Sequence, residues 1–273
     1  MASKEQIFRR ELLTVAMVVI ALVFFYPVIF VLFNAFKTEA RITLDPMGVP
    51  TSFFLGNFAR AWKVMRFPSV FVNTLGITTF GVAGIVLASS MAAYALARNE
   101  WRLSWIIYGF FVFALVIPFQ IIMVPIAVLA ADLKLTSIPG IIPMYWGLGV
   151  PTAVFMFHGF VKGVPRELEE SAAIDGAGPF YIFFKIVFPL LKTIIATVAV
   201  IDALWLWNDF LLPLIVVKEG TIQLAQMAFN GQFLKEYGPM SASLTLSALP
   251  IVLFYLGLQK YIIKGIASGA VKG

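Results

Sequence analysis

Residues 141–192 read IIPMYWGLGVPTAVFMFHGFVKGVPRELEESAAIDGAGPFYIFFKIVFPLLK, and the two halves of that stretch call for different solvents. From Ile141 to Phe160 there is no Asp, Glu, Lys or Arg. Roughly 20 helical residues at about 1.5 Å each span the hydrocarbon core of a bilayer, so this half predicts a membrane crossing. The half that follows is polar and punctuated. Pro165 suits a first helical position, and Glu167, Glu169 and Glu170 gather at the positive end of the helix dipole. Gly176 supplies a left-handed stop and Pro179 begins a second segment. The reading is a short helix, a glycine turn and a second helix running into the next crossing. A helix of about ten residues is marginal by itself in water, so this one is expected to dock on something.

Outward from this loop the pattern of crossings repeats. Apolar spans are expected at about 12–36, 68–97, 105–129, 141–160, 190–217 and 244–263, with 161–189 as the loop between the fourth and fifth. The fold class is therefore an all-α integral membrane protein, one transmembrane domain over 1–273 with about six transmembrane helices. Composition agrees: 61% of the residues are hydrophobic and 12% charged, against about 25% charged in an ordinary soluble domain. The run after Arg9 and Arg10 is too long for the h-region of a cleaved signal and reads as a retained first helix. Gly84, Ala88 and Ala92 recur at steps of four in the second span, which lets helix backbones approach closely. Phe58, Trp62 and Met65 suggest a short helix lying in the membrane interface or packed on protein.

Several chemistries are excluded. The net charge of +6 reads as loop charge meeting anionic head groups, not as a nucleic-acid surface. No cysteine and a single histidine, His158, leave no disulfide, no thiolate metal site and no two-histidine metal motif, so no metal ligand and no catalytic residue is assigned. His158 itself reads as a packing residue. No glycine is followed by lysine, which removes the phosphate-binding GxxxxGK[ST] loop. Two carboxylates, Asp202 and Asp209, fall seven apart within the fifth span, near one helical face. Charge at that depth usually faces a bundle interior or a watery cavity, so Asp202, Asp209, Asn208 and Trp205 are candidates for a translocation path.

The loop also carries a spaced motif. Glu170-Ser171-Ala172, three residues, Gly176, nine residues, then Ile186-Val187-Phe188-Pro189 resembles the EAA–x3–G–x9–IxLP signature of permease subunits of binding-protein-dependent ABC importers. Ser171 stands where Ala is usual and Phe188 where Leu is usual, while Asp175-Gly176-Ala177 fits the common form. Asn57-Phe58, Asn73-Thr74-Leu75, Trp207-Asn208-Asp209-Phe210, Ser247-Ala248-Leu249-Pro250 and the tail ending Val271-Lys272-Gly273 look like the carbohydrate-type members, similar to the smaller membrane subunit of maltose-type transporters.

The resemblance implies a membrane-spanning subunit of an ATP-driven sugar importer that forms half of the translocation pathway. It implies that about Arg166 to Phe180 is a cytoplasmic coupling helix seated in a cleft of an ATPase, with Glu167, Glu170, Ser171, Ala172, Asp175, Gly176, Ala177 and, in the tail, Lys272 as the coupling residues. ATP and Mg would then bind the partner ATPase, and no cofactor this chain. The implied partners are a second, homologous permease chain, a dimer of ATPase subunits, an extracytoplasmic sugar-binding protein and the lipid bilayer. Both termini would be cytoplasmic, in a bacterial inner membrane. The turn-rich segment from Lys218 to Ser243 would face the binding protein, with Asn230, Gly231, Gln232 and Tyr237 as candidate contacts. The alternative is an ion-coupled secondary transporter using the two span-five aspartates.

Overall fold

In a computed structural model, which describes residues 4–231 and 236–270, the chain is helical, with no strand among the described residues. The helices run α1 Lys4–Ala35, α2 Glu39–Leu44, α3 Gly56–Val64, α4 Phe67–Arg98, α5 Arg102–Ala114, α6 Phe119–Asp132, α7 Ile141–Val161 and α8 Glu167–Ile174. Then come α9 Pro179–Tyr181, a π-helical stretch Ile182–Val187, α10 Phe188–Leu190, α11 Lys192–Asn208, α12 Leu211–Val216, α13 Ile222–Ala225, a 3-10 turn Gln226–Phe229 and α14 Tyr237–Ala270. Among the described residues four helices are long and apolar enough to cross a membrane: Arg9–Ala35 of α1, α4, α7 and Tyr237–Gly257 of α14. Counting α5 with α6, and Pro179–Leu190 with α11, as one bent span each brings the number to six.

The two bends have covalent causes. Between α5 and α6 the chain turns by 103°, and Pro118 sits extended there at φ −63°, ψ 137°. Proline disfavours helical backbone in the residue before it and offers no N–H. The 77° bend before α11 follows Pro189, whose ring crowds the carbonyl four residues earlier, at Lys185 inside the π stretch.

The chain packs as two compact units, 1–67 with 226–249, and 68–225 with 250–273. In the first, α1 keeps Leu12 to Phe25 exposed on all sides, the all-round apolar surface of a membrane-spanning helix. The polar connection after it is organised by buried donors. Lys37 is 1% exposed, and its ammonium donates to the carbonyls of Asp45 at 2.9 Å and Pro46 at 3.3 Å. The Asn57 amide donates to the carbonyls of Ala35 and Lys37 at 2.9 and 2.7 Å. The short helix packs on protein along one face: Asn57 and Ala61 of α3 and Met65 just after it, four residues apart, are buried, while Trp62 is left half exposed. In the same unit Arg60 forks onto Glu236, its Nη2 donating to Oε1 at 2.7 Å and its Nε to Oε2.

In the second unit α4 and α7 meet through the small-residue stripe. A Cβ added to Gly84 would lie 2.1 Å from Trp146 Nε1, which itself donates to the Phe80 carbonyl at 3.0 Å. Ile85, Tyr145, Val154, Phe157, Val187 and Leu206 form the buried core beside that contact.

Candidate functional site

Helix α8 opens with Glu167, Glu169 and Glu170 in its first turn and closes on Gly176 at φ +85°. The closure is a Schellman arrangement: the Gly176 N–H donates to the Ala173 carbonyl at 3.0 Å and the Ala177 N–H to the Ala172 carbonyl at 2.9 Å. With no Cβ, glycine takes this left-handed backbone without the strain any other L residue incurs. Ala172 and Ala177 are half-buried against the core and so seat the helix.

The three glutamates divide. Glu169 turns inward: its Oε2 accepts the Tyr94 hydroxyl at 2.8 Å, and its Oε1 accepts Arg98 Nε at 2.8 Å and Nη2 at 2.6 Å. Arg98 and Glu169 are only 13% and 12% exposed, and Arg98 Nη2 also donates to the Val164 carbonyl at 2.9 Å. The Tyr94 ring packs on Phe183 of the π stretch with centroids 5.2 Å apart. By contrast Glu167, Glu170, Ser171 and Asp175 are exposed, and among the described residues the three carboxylates have no side-chain partner. Beside them stand uncovered apolar groups, Ile174 at 86% exposure and Phe180 at 68%. Lys272 lies outside the described residues.

The sequence places Glu169 only among the acids of the first turn, and nothing in it singles out Arg98 or Tyr94. One signal was available: Glu169 and Ala172 are three apart, hence on one helical face, and a small residue there marks the face that touches protein.

Within the membrane the candidates separate. Asp202 is 4% exposed in α11, and its Oδ2 has no hydrogen-bond partner among the described residues. Helix α11 ends at Asn208, and Asp209 is extended at φ −69°, ψ 131°, so the expected sharing of a helical face by Asp202 and Asp209 does not hold. Asp209 is instead tied at both oxygens, Oδ2 accepting the Tyr145 hydroxyl at 2.8 Å and Oδ1 the Leu211 N–H at 3.1 Å, which starts α12. The Asn208 amide bonds back to the Leu204 carbonyl at 2.8 Å. Trp205 and Asp209 line one cavity of about 420 Å³ with Gln120 and Thr152; Asp202 and Asn208 do not. His158 stacks on the Tyr108 ring at 3.9 Å, a packing contact. Asn230, Gly231 and Tyr237 are exposed, and Gln232 lies outside the described residues.

Broken apolar spans, joined by a capped loop helix whose outer acidic and apolar face has no side-chain partner among the described residues, define a polytopic membrane component. Residues 84–268 match the family model of the binding-protein-dependent transport system inner membrane component. The chain belongs to that family, and is a permease subunit of an ABC transporter. It is 37% identical to a probable starch degradation products transport system permease protein of Thermoanaerobacterium thermosulfurigenes, over 97% of each chain. It is 36% identical to a multiple sugar-binding transport system permease protein of Streptococcus mutans, over 90% and 91% of the two chains. It is 33% identical to a melibiose/raffinose/stachyose import permease protein of Bacillus subtilis, over 96% and 97%. A chain in the crystal structure of a bacterial ABC transporter that imports the acidic polysaccharide alginate shares the fold, with a TM-score of 0.82 at 20% identity over 96% of this chain and 99% of that one. These relatives lend no support to the ion-coupled alternative.

Proposed function

We propose that this chain is the membrane-spanning half of an ATP-driven importer of oligosaccharides, working beside a second permease chain, a dimer of cytoplasmic ATPase subunits and an extracytoplasmic sugar-binding protein. The sugar assignment is supported by the substrates named for the relatives in Thermoanaerobacterium, Streptococcus and Bacillus. The observation that carries the mechanism is the outward face of α8, where Glu167, Glu170 and Asp175 stand unpaired beside the exposed Ile174 and Phe180. Carboxylates around an apolar centre suit a cleft lined by Arg or Lys, in the manner of a hot spot with a charged rim. The ATPase binds ATP and Mg; this chain holds no nucleotide and catalyses no step. The loop is cytoplasmic, as are both termini, and Lys272 at the tail reaches the ATPase. Ser171, Ala172, Gly176 and Ala177 shape the docked helix. Asn230, Gly231, Gln232 and Tyr237 face the binding protein on the other side. Trp205 and Asp209, with Gln120 and Thr152, line the path, and an indole face beside amide and hydroxyl groups suits a sugar ring. Asp202 and Asn208 act on that path through the shape of α11.

The test is Glu170→Lys in proteoliposomes containing all subunits, with radiolabelled maltotriose as probe. A charged hydrogen bond is worth about 1.5–3 kcal/mol, so transport should fall about ten- to a hundredfold, with partial recovery when an Arg of the ATPase cleft becomes Glu. Native transport by Glu170→Lys with the ATPase fully bound refutes the docking role.

A further inference from the structure

We infer that Glu169, Arg98 and Tyr94 form the internal link by which movement of the docked loop helix reaches α4, which makes Glu169 a positioning residue for transport. The inference rests on the docking role of α8 but concerns the opposite face of that helix. Tyr94 and Arg98 stand one turn apart at the end of α4, and between them they hold all three parts of the loop. Arg98 binds the Val164 carbonyl ahead of α8 and the Glu169 carboxylate within it, while the Tyr94 ring lies on Phe183 beyond it. Among the described residues Glu169 is the one side chain of α8 bonded to a membrane span.

That matters mechanically. Apolar contacts such as Ala172 on the core are non-directional and permit sliding. A carboxylate that accepts three donors in a poorly solvated pocket fixes both position and orientation, and a forked guanidinium adds geometric specificity. The exposed pair of Arg166 with Glu100, 49% and 77% exposed, contributes little by comparison. Helix α4 runs 32 residues from Phe67 to Arg98, so a displacement imposed at Arg98 is delivered to a rigid rod that crosses the membrane. Without the carboxylate, the docked helix slides over the end of α4 and ATP is spent without the path opening.

The experiment measures ATP hydrolysis and maltotriose uptake in the same proteoliposomes of the full complex. Glu169→Ala should retain the ATPase at native stoichiometry while transport per ATP falls about tenfold. Tyr94→Phe, which removes one of three donors, should lower the ratio about two- to threefold. The exchange Arg98→Glu with Glu169→Arg should recover part of the transport per ATP that either single change loses, and a merely structural contact would lower complex yield without moving that ratio. An unchanged ratio in Glu169→Ala overturns the inference. Loss of the ATPase from the complex also overturns it, since the residue would then act in docking, and complex yield separates that outcome from failure of the docking role itself. If Glu169→Ala does not accumulate, Glu169→Gln preserves shape and is read by the same ratio; full coupling there overturns the link, and reduced coupling upholds it.

Discussion

Gly176 and Gly178 stand two residues apart in one loop, and for both the space where a Cβ would go is open: beyond the glycine and its two chain neighbours no atom lies within 4 Å of it. They differ in backbone alone, since Gly176 has φ +85° and Gly178 has φ −74°. Substitution by alanine therefore isolates one term. At 178 the new methyl meets nothing and the backbone already suits an L residue. At 176 the same methyl is held against the following carbonyl, at a cost of about 1–2 kcal/mol. The structure that opens to relieve the strain is the pair of hydrogen bonds that closes α8, from Gly176 to Ala173 and from Ala177 to Ala172. Their opening should become about five- to thirtyfold more frequent. Hydrogen exchange of the amides at 176 and 177, in lipid nanodiscs, reads that factor directly. Gly176→Ala should exchange faster by that amount and Gly178→Ala at the native rate, while Gly176→Asn recovers part of the loss because asparagine tolerates the left-handed region. Equal effects at the two positions, or none at 176, would show that the turn is not what fixes the end of the helix.

Two further outcomes follow from pairs elsewhere. Tyr145→Phe deletes the donor to Asp209 from a side chain with no exposure and should lower stability by about 1–3 kcal/mol in thermal unfolding, whereas Asn208→Ala should stay within about 0.5 kcal/mol because, among the described residues, that amide bonds only within its own helix. The Arg60 guanidinium, first through its hydrogen bonds and then by its charge, holds the Glu236 carboxyl below its ordinary value. A depressed carboxyl contributes fully above its unfolded value and loses that contribution as pH falls through the folded one. Protection of the Met240 amide, which donates to the Glu236 carbonyl, should thus decline between about pH 5 and about pH 3 after correction for intrinsic exchange. Glu236→Gln should flatten the decline. Glu39 accepts the Gly238 N–H nearby, and Glu39→Gln serves as the control.

Length and charge made the crossings legible, because a bilayer asks one question of a sequence, whether about 20 residues run without charge. The bends were half legible. Pro118 and Pro189 are visible in the sequence, but a proline inside a span kinks or breaks it according to what packs alongside, and Pro151 sits within an unbroken α7. The reading of Asp202 and Asp209 failed for a related reason: helical spacing has meaning only while the helix lasts, and α11 stops at Asn208. The short helix near Trp62 was assigned its apolar face from Phe58, Trp62 and Met65; Met65 is buried as expected, but it shares the buried face with Asn57 and Ala61 while Trp62 stays exposed. Close packing against a backbone selects small side chains, and hydrophobicity alone does not show which face does so.

The same distinction explains why three glutamates in four residues have different duties. At about 100° per residue, Glu167 and Glu170 lie about 60° apart, while Glu169 lies about 160° from Glu167 and about 60° from Ala172. Charge count treats the three alike; the helical period and one small residue do not. A helix this short has no core of its own, so a partner that gripped Glu167 and Glu170 would simply roll it unless the far side were held. Arg98 and Tyr94 hold that side through Glu169, so a grip on one face would become a pull on the span behind it. On this geometry an acidic outer face and an acidic inner anchor are each needed, because force passes through an eight-residue helix only when both faces are fixed.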